Sequence, residues 1–264
     1  MSTSDILSLL LLITTVISVG YACKAYHHQR ERAKKDAACA LAKVYVDEIL
    51  DKYSIVAEVL SKSGILSYVK ETFPMDAIKD FTMREVLELA IQSKANLKEL
   101  SKKMDTFDHF SILNAFVCKT NSMAERNALS AAYSDRADDD TMIPKNEAYL
   151  KLRFTDTVSA LLNTLEWFSM NCRYGLADEE VLYQSLHQTF LSTVWMMYYY
   201  ISMNNASNVD KYYTNVIWLF TAWKARLGEE SARYREEKSK AEEELRAARE
   251  QCANAGRVYA GKSL

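Results

Sequence analysis

Asn163 and Glu166 form the polar pair with the strongest claim to chemistry in this chain. At a spacing of i,i+3 they share one side of a helix, and Glu166 borders the apolar surface made by Leu162, Leu165 and Met170. A carboxylate at the edge of a bundle core must be paired or give up its charge. That leaves an acid/base or cation-ligand role for the pair, or a buried hydrogen bond from Glu166 to a neighbouring helix, with Arg153, Arg173 or a tyrosine as donor. The second reading is favoured, because most polar groups at core edges are simply satisfied.

Other chemically able residues are scattered. The four histidines form no constellation. His27 and His28 lie in a basic stretch, His109 and His187 stand alone, and no His-Glu-x-x-His zinc spacing occurs. Asp138-Asp139-Asp140 lacks the alternating oxygen ligands of a calcium loop and reads as a solvated loop. The run Tyr198-Tyr199-Tyr200, with Trp195, Tyr212 and Tyr213, could line a nucleotide or lipid pocket. Aromatics at helical spacing more often pack in a core with their hydroxyls at its rim, and that reading is preferred. Five cysteines, at 23, 39, 118, 172 and 252, show no Cys-x-x-Cys pair and suit a reducing compartment. No glycine-rich phosphate loop, nucleophile elbow or dinucleotide fingerprint is present. The expectation is a chain that is no enzyme, with no cofactor, no metal and no small-molecule ligand.

The elements that would carry these residues are helices. Only 6 Gly and 2 Pro in 264 residues is too little punctuation for a sheet of tight turns. With 49% apolar residues there is material for a core, so the fold class expected is all-α. A net charge of −2, from 33 basic and 35 acidic residues, excludes the one-sided basic footprint of a nucleic-acid binder.

Ile6 to Cys23 is eighteen positions without a charge. As a helix it would span about 27 Å, near the ~30 Å hydrocarbon core. The leader, residues 1–5, carries no cation, whereas Lys24, Arg30, Arg32, Lys34 and Lys35 all follow. A cleavable signal peptide would want the reverse order. The expectation is therefore a transmembrane anchor at 6–26 in an inner membrane, with N-terminus out and C-terminus in the cytoplasm, and with the five cations setting topology and meeting anionic lipid. Phe190 to Met203 is too short for a second span and reads as a core helix. Asn205-Ala206-Ser207 matches a glycosylation acceptor that is expected to be unused.

Residues 27–62 read as a helix continuing from that anchor, with Leu41, Val44, Tyr45, Ile49, Tyr53, Val56 and Leu60 on one face and Gly64 as its stop. Phe73-Pro74 marks a break. Thr82 and Glu85 form a capping box opening a helix whose face carries Val86, Leu89, Ser93, Leu97, Leu100 and Met104. A further helix is expected over Thr106–Lys119, then a polar connection with some helix over 120–146. Residues 147–227 read as three helices. The first has its seam at Phe154, Val158, Leu161, Leu165, Phe168 and Cys172, ended by Gly175. The second is capped by Asp178 and buries Leu182, Leu186, Phe190, Val194, Met197 and Ile201. The third, from Asp210, carries Tyr213, Val216, Phe220, Trp223 and Leu227. A bundle over 63–227 and a charged helix and tail over 228–264 complete the expected organisation.

The stretch Leu161-Leu162-Asn163-Thr164-Leu165-Glu166-Trp167-Phe168, followed by Gly175-Leu176-Ala177-Asp178-Glu179-Glu180, resembles an uncharacterised bacterial family called domain of unknown function forty-seven sixty. In that family a helix with an Asn-x-x-Glu core is followed by a glycine and an Asp-Glu-capped helix. Trp218-Leu219 and Trp223 fit the later aromatic helix. The resemblance spans about residues 110–227 and implies a helical cytoplasmic domain, often membrane-anchored, without supplying an activity. Trp167 stands where the family usually has an aliphatic residue or Phe, and the family lacks the segment between 70 and 105. The resulting expectation is a membrane-tethered interaction or scaffold module that binds a protein partner or self-associates. Its rivals are a membrane-disrupting effector of a stress or phage-defence system and an enzyme using Glu166.

Overall fold

The computed structural model describes residues 3–105, 112, 115–116, 134–136, 142–144, 147–207 and 211–260. Their architecture is helical, as the composition predicts. Helix α1 runs Thr3–Val44, passes through a π-turn at Tyr45–Ile49, and continues as α2, Leu50–Lys62. There follow α3 (Ile65–Thr72), α4 (Met83–Gln92), α5 (Leu97–Asp105), α6 (Glu147–Arg173), α7 (Glu179–Met196), α8 (Tyr198–Asn204) and α9 (Thr214–Ala260).

The π-turn has a sequence cause. Leu41, Tyr45, Ile49 and Tyr53 are spaced by four, and each such step overshoots a 3.6-residue turn. An α-helix would swing the later members off the core. A turn closed one residue wider, with the Leu50 N–H donating to the Tyr45 carbonyl, absorbs the overshoot. Tyr45 and Ile49 are both wholly buried as a result. Here α2 packs on α6, and the end of α1 packs on α7. Gly64 ends the run with φ 72°, a conformation that excludes most side chains.

The seams of α6 and α7 pack as expected. Phe154, Val158, Leu161, Leu165, Phe168 and Cys172 are buried, as are Leu182, Leu186, Phe190, Val194, Met197 and Ile201. Gly175 adopts φ 63°, and the Asp178 carboxylate accepts from the Val181 N–H at 3.4 Å. Ring contacts join Phe168 to Tyr45 (edge-on, 5.1 Å) and to Phe190 (tilted, 5.9 Å), tying α6 to the π-turn and to α7.

Three expectations are corrected. Among the described residues no helix is long and apolar enough to cross a membrane. The transmembrane anchor and the single-pass inner-membrane placement are therefore overturned. Second, the helix opening at Thr82 does not reach Met104. It stops at Gln92, Lys94 turns left-handed (φ 56°), and Asn96 starts α5 by accepting from the Lys98 N–H at 3.1 Å. Third, the helix of Asp178 breaks at Met197, so that α8 is separate. Within 120–146 the described residues form a small antiparallel ribbon, Ser134–Arg136 on Met142–Pro144, and the helix expected elsewhere in that connection falls outside the described residues. Asp138-Asp139-Asp140, His109 and most of the segment 106–119 lie outside the described residues.

The chain divides into two compact units, Met1–Phe220 and Thr221–Leu264. The second is the continuation of α9. Its exposed surface is laced with i,i+4 ion pairs, among them Lys240–Glu236 at 2.7 Å and Lys238–Glu242 at 3.9 Å.

Candidate functional site

Two internal carboxylates of the first unit, Glu166 and Glu85, are each built into a hydrogen-bonded node. Glu166 sits half-buried on α6 and faces the start of α9. Its oxygens accept from the Asn215 N–H (3.2 Å), the Asn215 side-chain amide (2.7 Å) and the Val216 N–H (3.0 Å). The first N–H groups of a helix have no partner within it, and a carboxylate there also opposes the positive end of the helix dipole. Asn215 in turn accepts from the Arg173 guanidinium at 3.1 Å, and that guanidinium lies 5.9 Å from the Trp218 ring centre. Tyr213, immediately before the helix, is held at φ 59°. Burial, and next the Glu166 charge, push its phenol above the ordinary tyrosine value.

Asn163 is exposed and takes no part in this node, so the structure does not unite the predicted pair. Of the donors proposed for Glu166, Arg173 belongs to the node only through Asn215, while Arg153 stacks over Phe116 at 4.9 Å instead. Glu166 therefore caps a helix. We expect Glu166→Ala to lower unfolding free energy by about 2 kcal/mol and Glu166→Gln, which keeps one acceptor oxygen, by about 1. Denaturant unfolding checks this, and an alanine variant within a few tenths of wild type would contradict it.

The second node was not singled out as a site by the sequence reading. Glu85 on α4 is 8% exposed, and it accepts from the backbone N–H groups of Lys79 (2.5 Å), Asp80 (3.1 Å) and Phe81 (2.9 Å). The Tyr198 hydroxyl of α8 donates to it at 2.9 Å. Only half of the expected capping box forms. The Thr82 hydroxyl accepts from the Glu85 N–H at 3.2 Å, but the carboxylate turns back to the three amides ahead of the cap. Asn205 closes the same region, its side chain bridging the Phe81 carbonyl (3.4 Å), the Tyr212 carbonyl (3.3 Å) and the Tyr212 N–H (2.7 Å). The glycosylation acceptor nitrogen is thus buried and engaged, which gives the expected disuse a physical cause. The Trp195 indole N–H holds the Phe73 carbonyl at 2.6 Å.

No protein-family model, curated protein or solved structure matches this chain. The chemistry must be judged from the side chains alone.

A cleft of about 480 Å³ adjoins Glu85, lined also by Asp76, Lys79, Asp80, Glu88 and Gln92. Glu85 presents it with no unused acceptor, since three amides and a phenol occupy its lone pairs. The tyrosine run packs as core. Tyr198 and Tyr199 are buried, with Tyr198 against Phe73 (5.2 Å) and Phe81 (5.3 Å). The hydroxyl of Tyr198 is interior, not at the rim. Among the described residues no three His, Cys, Asp or Glu side chains are grouped to hold a metal. His187 stacks on Tyr183 at 4.5 Å, with Nδ1 2.7 Å from the Tyr183 carbonyl. Burial pushes the Cys172 thiol up to about 12, which leaves it a poor nucleophile, while Cys23 and Cys39 are exposed on α1.

The five cations singled out in the sequence all lie on α1. Lys34 is half-buried, pairs with Glu31 at 3.7 Å, and offers its carbonyl to the Asp178 N–H at 3.1 Å. Lys24, Arg30, Arg32 and Lys35 are exposed. The same helix carries the densest exposed apolar cluster among the described residues. Val16, Ile17, Val19, Tyr21 and Tyr26 are between 53% and 73% exposed.

Proposed function

We propose that this chain is a helical interaction module whose bundle holds out the first half of α1 for association with a protein surface. The observation that carries the reading is the exposed cluster Val16, Ile17, Val19 and Tyr21 within six residues of one helix. Scattered apolar side chains on a surface need no explanation, but a contiguous group marks a place that something covers. Tyrosine and aliphatic anchors are also the residues from which interface centres are made. The use of both internal carboxylates to clamp backbone amides favours binding over catalysis.

The test places a photo-activatable thiol crosslinker on Cys23, in the cells that produce the protein. Val16→Gln, Ile17→Gln and Val19→Gln, made together, are expected to remove at least about nine-tenths of the adducts, a loss of ~1.4 kcal/mol in association, with unchanged helical content. Adducts indifferent to the triple substitution, or no adduct with wild type, would defeat the proposal.

A further inference from the structure

Helix α9 changes character after Gly228. From 229 to 250 it contains no Gly, Pro or β-branched residue, and most positions are Glu, Lys, Arg or Ala, which rank among the best helix formers. Every described residue from 232 to 247 is exposed, so this stretch has no buried face. Tyr234 and Leu245, its two large apolar side chains, are 68% and 53% exposed. They stand about three turns apart. That is too sparse for a coiled-coil seam, which recurs every three to four residues.

Most helices in proteins are held by packing an apolar face. A helix that is polar all round needs pairs along its own surface to persist. The charges here are arranged for that. Read at steps of four, Glu229, Arg233 and Glu237 alternate in sign, as do Glu236, Lys240 and Glu244, and Lys238, Glu242 and Arg246. No two like charges stand four apart anywhere between 226 and 250. The structure closes pairs at this spacing, with Arg226–Glu230 at 3.0 Å, Lys240–Glu236 at 2.7 Å and Lys238–Glu242 at 3.9 Å. One exposed pair adds little, but charges with an opposite neighbour on either side form a network.

We propose that residues 229–250 form a self-supporting helical spacer, a rod that keeps its shape without packing and sets the parts of the chain at its two ends about 33 Å apart. A flexible linker of the same length would let those ends approach each other, whereas the rod fixes their reach. The spacer lies wholly within the second unit and does not depend on what α1 binds.

The test is a distance measured in the full chain. Keto amino acids introduced in place of Ser231 and Ala253 take spin labels without touching the five cysteines, and pulsed electron resonance reads their separation. The otherwise wild-type chain should give one narrow distribution near 33 Å, at ~1.5 Å of rise per residue. A flexible chain over the same interval would give a broad one near ~26 Å. Arg233→Glu, Lys240→Glu and Arg246→Glu, made together, set each new carboxylate between glutamates four residues away on both sides. That variant should show the broad, shorter distribution, and near-ultraviolet circular dichroism of the buried aromatics checks that the bundle stays folded. Tyr234→Ala with Leu245→Ala should leave the narrow distance unchanged, because packing does not hold the rod. A broad distribution in the wild-type background, a narrow one that survives the charge reversals, or one lost with the two apolar side chains or on dilution would each overturn the inference.

Discussion

Glu85→Ala is expected to lower unfolding free energy by about 4 kcal/mol, the largest loss from any single substitution on the surface-to-core boundary of this fold. The alanine leaves three backbone N–H groups and the Tyr198 phenol without their acceptor. Each orphaned buried donor costs about 1–3 kcal/mol, and partial access of water to Lys79 and Asp80 keeps the total below the simple sum. Strain adds to it. Phe81 is a buried aromatic residue held at φ 51°, a conformation that costs a non-glycine residue about 1–2 kcal/mol. Its ring is fixed against Tyr198 and Phe220, the latter at 5.2 Å. With the carboxylate gone, the 79–82 turn can relax only by withdrawing Phe81 from that cluster. Tyr198→Phe, which removes one donor and keeps the ring, should cost about 1 kcal/mol. Native stabilities are about 5–15 kcal/mol, so the alanine variant should unfold at markedly lower denaturant. A loss below about 1 kcal/mol would show that the turn is held by something other than Glu85.

The contrast between Glu85 and Glu166 shows what a single sequence exposes. Seams such as Phe154 to Cys172, and stops such as Gly64, Gly175 and Asp178, are local. Period and capping chemistry depend on residues within a turn or two, and the helices follow. Glu166 was recognisable as a core-edge carboxylate for the same reason, but its partner was not, because Asn215 lies 49 positions away. Glu85 was harder. Its place in a capping box with Thr82 was legible but its burial was not, and Glu88, three residues on, is exposed and pairs with Arg84 at 2.9 Å. What buries Glu85 is a left-handed Phe81 that no glycine announces, and a tyrosine 113 positions away. The breaks at Ser93–Asn96 and at Met197 were missed for a related reason. Neither contains Gly or Pro, and the apolar period runs across both. The π-turn did leave a trace, in the unbroken spacing of four from Leu41 to Tyr53. Reading α1 as a bilayer span followed from an uncharged stretch with cations on its C-terminal side, and neither feature distinguishes lipid from a protein surface as the cover.

Alkaline pH should unfold this protein cooperatively, and buried phenols set the window, Tyr45, Tyr198 and Tyr200 among them. Tyr45, in the π-turn, and Tyr198, on Glu85, are both wholly buried. Burial pushes both above the ordinary tyrosine value of 10.0, and for Tyr198 the adjacent Glu85 charge pushes further in the same direction. In the unfolded chain each phenol ionises near that ordinary value. In the folded chain each stays protonated. The unfolded state thus gives up protons that the native state keeps, and stability falls as pH rises. Their contribution is whole below pH 10.0 and is lost above it, at about 1.4 kcal/mol per pH unit for each phenol, or about 3 for the two. By about pH 12 that loss reaches the scale of a typical native stability. Tyrosinate absorbance and far-ultraviolet circular dichroism, followed together, should show a late rise in absorbance coincident with loss of helix. Replacing Tyr45 or Tyr198 by Phe should take about 1.4 kcal/mol per pH unit off the decline while leaving stability near neutral pH changed by about 1 kcal/mol. Complete ionisation with helicity intact would mean that solvent reaches both phenols, and the core contacts of Tyr45 with Phe168 and of Tyr198 with Phe81 could not then stand as described.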